Sequence, residues 1–176
     1  AGIEDILITY NVIGEHKARR LAGLARTVPN LRVAVDNQLA LDTVIAAGSM
    51  ADRTIGVLVE FESGKKRQGV LEPKQALALA KRARSSNFVT FDGLMTYPCG
   101  PQTASFVAAA KRLFAEATID IPVVSAGGTP EMWRAHTVEG LTEYRVGTSI
   151  YNDRLSVGVG SATFDECALH VHVTLV

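Results

Sequence analysis

Val123-Val124-Ser125-Ala126-Gly127-Gly128-Thr129-Pro130 and Thr142-Glu143-Tyr144-Arg145-Val146-Gly147-Thr148-Ser149 decide the fold. In each, a short strand-like run ends in a turn of glycine and hydroxyl residues. Glycine lets backbone N–H groups approach an anion closely, hydroxyls add donors, and a helix N-terminus adds favourable partial charge. Two such turns at the ends of successive strands point to one shared phosphate. The expected ligand is therefore a small phosphorylated molecule or cofactor.

Working outward, apolar runs rich in Val and Ile recur at 5–10, 31–35, 55–61, 89–96, 123–125 and 144–150. Their near-continuous hydrophobicity fits parallel strands covered on both faces. Between them lie amphipathic, alanine-rich stretches at 15–26, 38–50, 74–84 and 103–117. Asp36-Asn37, Pro73 and Thr129-Pro130 read as helix starts, the last of a short fifth helix. Strand and helix alternating along the chain is the α/β signature, open to a doubly wound sheet or a (β/α)8 barrel. No Gly-x-Gly-x-x-Gly follows the first strand, which weakens the dinucleotide-binding version. Phosphate sites in barrels often follow strands seven and eight, and here the two turns follow the last two runs. The expected fold is thus an α/β, TIM-type (β/α)8 barrel that is incomplete, with about six of eight units present.

The chain has 176 residues, 47% hydrophobic, enough for a real core. Lys plus Arg number 18 and Asp plus Glu number 18, so no overall field draws the chain to nucleic acid or an anionic membrane. No segment is long and apolar enough to span a bilayer, and there is no signal-peptide pattern. Cys99 and Cys167 are far apart, in no metal-like spacing, which fits a reduced, cytoplasmic setting. The chain opens on Ala1-Gly2-Ile3 without Met and closes on the strand-like run 169–176. A piece of a longer protein is expected from both ends.

The stretch from Gly56 to Val70 runs from an apolar strand into Glu60 and Glu62, then a basic turn closed by Gly64 and Gly69. It reads either as a solvated charged loop or as a loop carrying Arg67 at the C-terminal mouth of the barrel. Segments 57–70, 91–97, 125–130 and 143–153, taken in order, resemble the pyridoxal-phosphate barrel of the alanine-racemase fold (fold type III). Within it they most resemble the D-threonine aldolase and D-serine dehydratase branch.

The resemblance implies a role for each matching residue. Arg67 corresponds to the arginine that hydrogen-bonds the pyridine nitrogen, and Tyr97 to a tyrosine near the cofactor. Gly127, Gly128 and Thr129 match the first phosphate turn; Gly147, Thr148 and Ser149 match the second, with Tyr151 just beyond. A guanidinium never gives up its proton, so it serves an unprotonated ring nitrogen and leaves a weaker electron sink than a pyridinium would be. The implied domains are a partial cofactor-binding barrel over 1–160 and the start of a C-terminal β-domain over 161–176.

Two departures stand out. Pro98-Cys99-Gly100 replaces the His-Gly pair expected after Tyr97 in the aldolase branch, and Cys99 there is either a reactive thiol or a tolerated small residue. No lysine matches the Schiff-base position: Lys65 and Lys66 lie in the loop before Arg67, and Lys17, Lys74, Lys81 and Lys111 fall on helical stretches. The expected Schiff-base lysine is therefore upstream of Ala1, leaving the catalytic residues of this chain unassigned and the chain alone inactive. His170 and His172 alternate on the expected terminal strand, but no metal ligand is assigned here. The resemblance implies a divalent metal only in a C-terminal domain beyond Val176.

The implied function is aldol cleavage, dehydration or racemisation of a D-amino acid or β-hydroxy-D-amino acid with pyridoxal 5'-phosphate. The alternatives are a pyridoxal-phosphate carrier of the same barrel type and a barrel enzyme for another phosphorylated metabolite. The expected partners are a small amino-acid substrate and either a second copy, as a homodimer, or the missing N-terminal segment covering the open barrel edges.

Overall fold

A computed structural model describes residues 2–174. Six strands form one parallel sheet: β1 (Asp5–Ile8), β2 (Asn30–Val35), β3 (Ile55–Glu60), β4 (Val89–Met95), β5 (Val123–Gly127) and β6 (Glu143–Arg145). Their spatial order is the order of the chain, β1-β2-β3-β4-β5-β6. A doubly wound sheet reverses direction at a switch point and this one does not, so the strands wind one way around as barrel staves. The result is a half-barrel.

Four long helices connect the staves: α1 (Glu15–Ala25), α2 (Gln38–Ala51), α3 (Pro73–Arg84) and α4 (Thr103–Glu116). Local chemistry sets their starts. Asn37 Oδ1 accepts the Ala40 N–H at 2.9 Å to cap α2. At α3, Glu72 and Gln75 form a reciprocal capping box and Pro73 occupies the first turn, where a missing N–H costs nothing.

The helices cover one face of the sheet. Val33, Val35, Val57, Val59, Phe61 and Val124 meet Leu41, Ala80, Phe106 and Phe114 there, all buried. Phe61 stacks on Phe106 with ring centroids 4.3 Å apart. On the other, inner face, Ala34, Leu58 and Met95 form a small apolar layer. Polar groups lie at both ends of that layer: Arg32 bonds Asp5 at the N-terminal end, and Glu60 and Arg145 lie at the C-terminal end.

Three expectations change. The strand expected over 144–150 ends at Arg145, and Thr148–Ile150 is a 3-10 turn. The cause is that the N–H groups of Ile150 and Tyr151 turn back onto the Gly147 and Thr148 carbonyls instead of joining the ladder. The helix begun by Thr129-Pro130 is a 3-10 helix, Thr129–Thr137. The strand expected over 169–176 does not form over 169–174, the remainder lying outside the described residues. Leu169, Val171 and Val173 have the alternating pattern of a half-buried strand but are 78–81% exposed, and no strand among the described residues supplies them ladder hydrogen bonds. The two histidines between them therefore share no strand face. Among the described residues, no group of three or more His, Cys, Asp or Glu side chains is placed to hold a metal, and no helix is long and apolar enough to cross a membrane.

Candidate cofactor site

The C-terminal ends of β3 to β6 hold the site, and three loops build it. The loop after β3 folds back onto its own strand: Val70 N–H bonds Glu60 O at 2.9 Å, and Glu62 N–H bonds Val70 O at 3.0 Å. The Glu62 carboxylate gathers the N–H groups of Gly64, Lys65 and Lys66 at 2.8, 2.5 and 2.6 Å. Desolvation works against the Glu62 charge, but these donors prevail and hold its carboxyl below the ordinary carboxylate range. Further along, Gly69 N–H bonds Asp36 Oδ2 at 3.0 Å, and Asn11 Nδ2 donates to Asp36 Oδ1 at 2.8 Å. The loop so pinned lays the Arg67 guanidinium over the Tyr97 ring, 5.0 Å from its centroid.

The turn after β5 is held from both sides. Cys99 N–H donates to Gly127 O at 2.7 Å and Gly128 N–H to Arg145 O at 3.0 Å. Tyr144 Oη donates to Gly128 O at 2.8 Å, and burial pushes that phenol up to about 12, so it remains a donor. A Cβ on Gly127 would lie 2.9 Å from Arg145 O and 3.2 Å from Tyr97 Cδ2, so only glycine lets β5 end this close to β6 and Tyr97. Next to it, Thr129 is 4% exposed and its Oγ1 has no hydrogen-bond partner. In the turn after β6, the N–H groups of Gly147, Thr148 and Ser149 have no acceptor among the described residues.

Both turns open on one cleft of about 510 Å³, lined by Lys65, Arg67, Tyr97, Gly128, Thr129 and Thr148 among others. Of the residues singled out from sequence, Arg67, Tyr97, Gly128, Thr129 and Thr148 thus meet at one cavity. Gly127 lies directly behind it, and Gly147 and Ser149 flank Thr148. Tyr151 is 66% exposed and does not line the cleft. A somewhat larger groove of about 570 Å³ runs along α1 past Ile8, Val12 and Leu21, but it lacks the convergent turns and unpaired donors of the mouth.

An orphaned buried hydroxyl, a glycine-only turn and free backbone donors, with guanidinium groups beside them, suit a phosphate-bearing cofactor. Thr129 and the turn at 147–149 would hold its phosphate. Lys65 is the lysine among the cleft-lining residues. Cys99 is buried and desolvation pushes its thiol up, so it packs as a small neutral side chain and is no activated thiolate.

Two residues at the mouth escaped the sequence reading. Arg145 donates from Nε to Ser125 Oγ at 2.8 Å and from Nη2 to Thr96 O at 2.8 Å, while Ser125 Oγ donates to Glu143 Oε1 at 2.5 Å. This ladder fixes a second guanidinium in the barrel wall. Glu60 is 1% exposed and accepts from Gln68 Nε2 at 2.6 Å. Burial pushes its carboxyl up to about 7; the Gln68 hydrogen bond opposes this, Asp36 adds to it, and Arg145 and Arg67 oppose it. The available signal was position: Glu60 ends a six-residue run that is otherwise apolar, and Arg145 precedes the second turn by two residues.

Residues 6–154 match the family model described as the alanine racemase N-terminal domain. The chain is 32% identical to a D-threonine aldolase of Arthrobacter sp over 87% of its own length and 41% of the relative's. It is 27% identical to the D-threo-3-hydroxyaspartate dehydratase of Delftia sp. (strain HT23), over 100% of this chain and 50% of that one. The crystal structure of a D-threonine aldolase from Filomicrobium marinum superposes with a TM-score of 0.72 and 25% identity, covering 86% of this chain and 44% of that one. The chain therefore spans about half the length, or less, of the curated relatives it matches.

Proposed function

From the premise that this chain belongs to the alanine racemase N-terminal domain family, we propose that its protein is a pyridoxal-phosphate-dependent enzyme acting on a D-amino acid or β-hydroxy-D-amino acid. The reaction class is aldol cleavage, dehydration or racemisation. The observation that carries this reading is the meeting of both glycine-hydroxyl turns with Arg67 and Tyr97 at one cleft. The named activities of the relatives support the substrate class.

Pyridoxal phosphate supplies an electron sink for the bond broken at Cα; the protein's share is orientation and electronic tuning. Thr129 Oγ and the N–H groups at 147–149 would bind the phosphate and anchor one end of the cofactor. Arg67 would donate to the ring nitrogen, and a guanidinium there would keep its own proton and leave the nitrogen unprotonated. Arg145, immobilised by Ser125 and the Thr96 carbonyl, fixes the barrel wall at this end of the sheet. The Gly127 turn admits the cofactor close to the strand ends.

The test is borohydride reduction of the full-length protein with pyridoxal phosphate, followed by peptide mapping. One stoichiometric phosphopyridoxyl adduct is expected, on a lysine other than Lys17, Lys65, Lys66, Lys74, Lys81 or Lys111. No 420 nm band and no adduct in the full-length protein refute the cofactor reading. A stoichiometric adduct on one of those six overturns the lysine assignment. Arg67→Ala and Arg145→Ala decide the ring partner: the band of the variant that loses it shifts with pH.

β1 and β6 each pair with one strand among the described residues. Further barrel strands of the same protein, or a second copy in a homodimer, are proposed to cover these edges, and light scattering on the full-length protein distinguishes the two.

A further inference from the structure

The loop that presents Arg67 hangs on two carboxyl groups, the buried Glu60 and the half-buried Asp36. Gln68, the next residue, donates to Glu60 Oε2 at 2.6 Å, and Gly69 N–H donates to Asp36 Oδ2 at 3.0 Å. Gly69 has φ +112°, and a Cβ there would sit 2.4 Å from the Phe61 carbonyl carbon. The loop therefore presses directly on β3 up to Gln68. Arg67 is the first residue past that clamp, exposed, and it reaches the Tyr97 ring.

We propose that Glu60 is the positioning residue for Arg67: through Gln68, its protonation state sets where the guanidinium lies in the cleft.

Three charged groups face Glu60. Asp36 follows β2, Arg67 comes from the loop and Arg145 from β6. Burial and Asp36 oppose the Glu60 charge, while Gln68 and the two guanidinium groups favour it. Burial, with Asp36, outweighs the groups that favour the charge, so both forms are populated near pH 7. Ionised Glu60 accepts from Gln68 and so holds the loop that carries Arg67 inward. Once protonated, it becomes a donor at one oxygen and its hold on Gln68 weakens, so the loop relaxes and Arg67 shifts across Tyr97. An anion in the cleft draws on the same guanidinium groups, so its binding favours protonated Glu60 and its affinity falls as pH rises through neutrality.

This role rests on reading the cleft as the cofactor site, but its test uses the ligand-free, full-length protein, so the two stand or fall separately. Tyrosine rings are labelled selectively and Tyr97 is assigned with Tyr97→Phe. Its ring resonances are then followed by NMR between pH 5.5 and 8.5. The expected result is one sigmoidal step centred near pH 7. In Glu60→Gln the step vanishes. In Gln68→Ala, which leaves the buried carboxyl in place, the Glu60 side-chain carbon still titrates while the Tyr97 step is lost. That second variant keeps the test decisive if Glu60→Gln does not fold. A flat Tyr97 profile in the unaltered protein overturns the proposal, as does a step that persists undiminished in either variant.

Discussion

Replacing Thr129 with valine is expected to strengthen the ligand-free protein and weaken its grip on the cofactor. The side chains have nearly the same shape, so the change removes one hydroxyl and little else. That hydroxyl is buried, its residue 4% exposed, and it has no hydrogen-bond partner in the ligand-free fold. Leaving such a group unpaired costs about 1–3 kcal/mol, so Thr129→Val is expected to gain on the order of 1 kcal/mol in stability after repacking. With a phosphate present the same hydroxyl donates to a charged oxygen, a bond contributing about 1.5–3 kcal/mol. Its loss corresponds to a drop in affinity of roughly 10- to 150-fold. The assays are urea unfolding without ligand and a spectroscopic titration with pyridoxal phosphate, with Thr129→Ser as the variant that keeps the hydroxyl. A valine variant that is less stable without ligand, or that binds pyridoxal phosphate as tightly as the unaltered protein, refutes the reasoning.

The Glu60 carboxyl is raised, so the folded state holds its proton to about pH 7 while the unfolded chain releases it near 4.5. Its contribution to stability is therefore most favourable at low pH and is lost as pH rises toward 7. The upper bound on that loss is about 3 kcal/mol. Glu60→Gln should accordingly raise the urea midpoint at pH 8 and change it little at pH 4.5; an equal gain at both would contradict the linkage. Phe61→Ala removes a fully buried ring stacked on Phe106 and is expected to cost about 3–5 kcal/mol, measured by chemical denaturation. Gly69→Ala forces a Cβ against the Phe61–Glu62 backbone just beyond β3, at φ +112°. It should cost at least about 1 kcal/mol and lower pyridoxal-phosphate affinity by displacing Arg67, and unchanged binding would show that the loop does not position that arginine.

The half-barrel was legible because its determinants are local. Runs such as Ile55-Gly56-Val57-Leu58-Val59 are buried on both faces, and only a sheet flanked by helices covers both. Asn37 and Glu72-Pro73 mark helix starts through bonds within four residues of sequence, so α2 and α3 start within a residue of their expected positions. The terminal run 169–174 misled because alternation specifies a strand only where a neighbour supplies the ladder. Likewise, the run after Arg145 has the composition to extend β6, but its N–H groups are satisfied more cheaply within the turn.

Sequence alone determined the α/β class and the two glycine-hydroxyl turns, because each is a pattern of neighbours along the chain; Arg67 and Tyr97 came from the resemblance of the ordered segments. Tertiary structure decided which of those residues share a cleft. It placed Thr148 at the cavity and Tyr151 away from it, only three residues on. It also revealed Arg145 and Glu60, whose importance lies in partners distant in sequence: the Thr96 carbonyl, 49 residues away, and the Asp36 carboxylate at the end of another strand. A charge's worth depends on what is buried beside it, and winding the chain into a barrel brings those groups together.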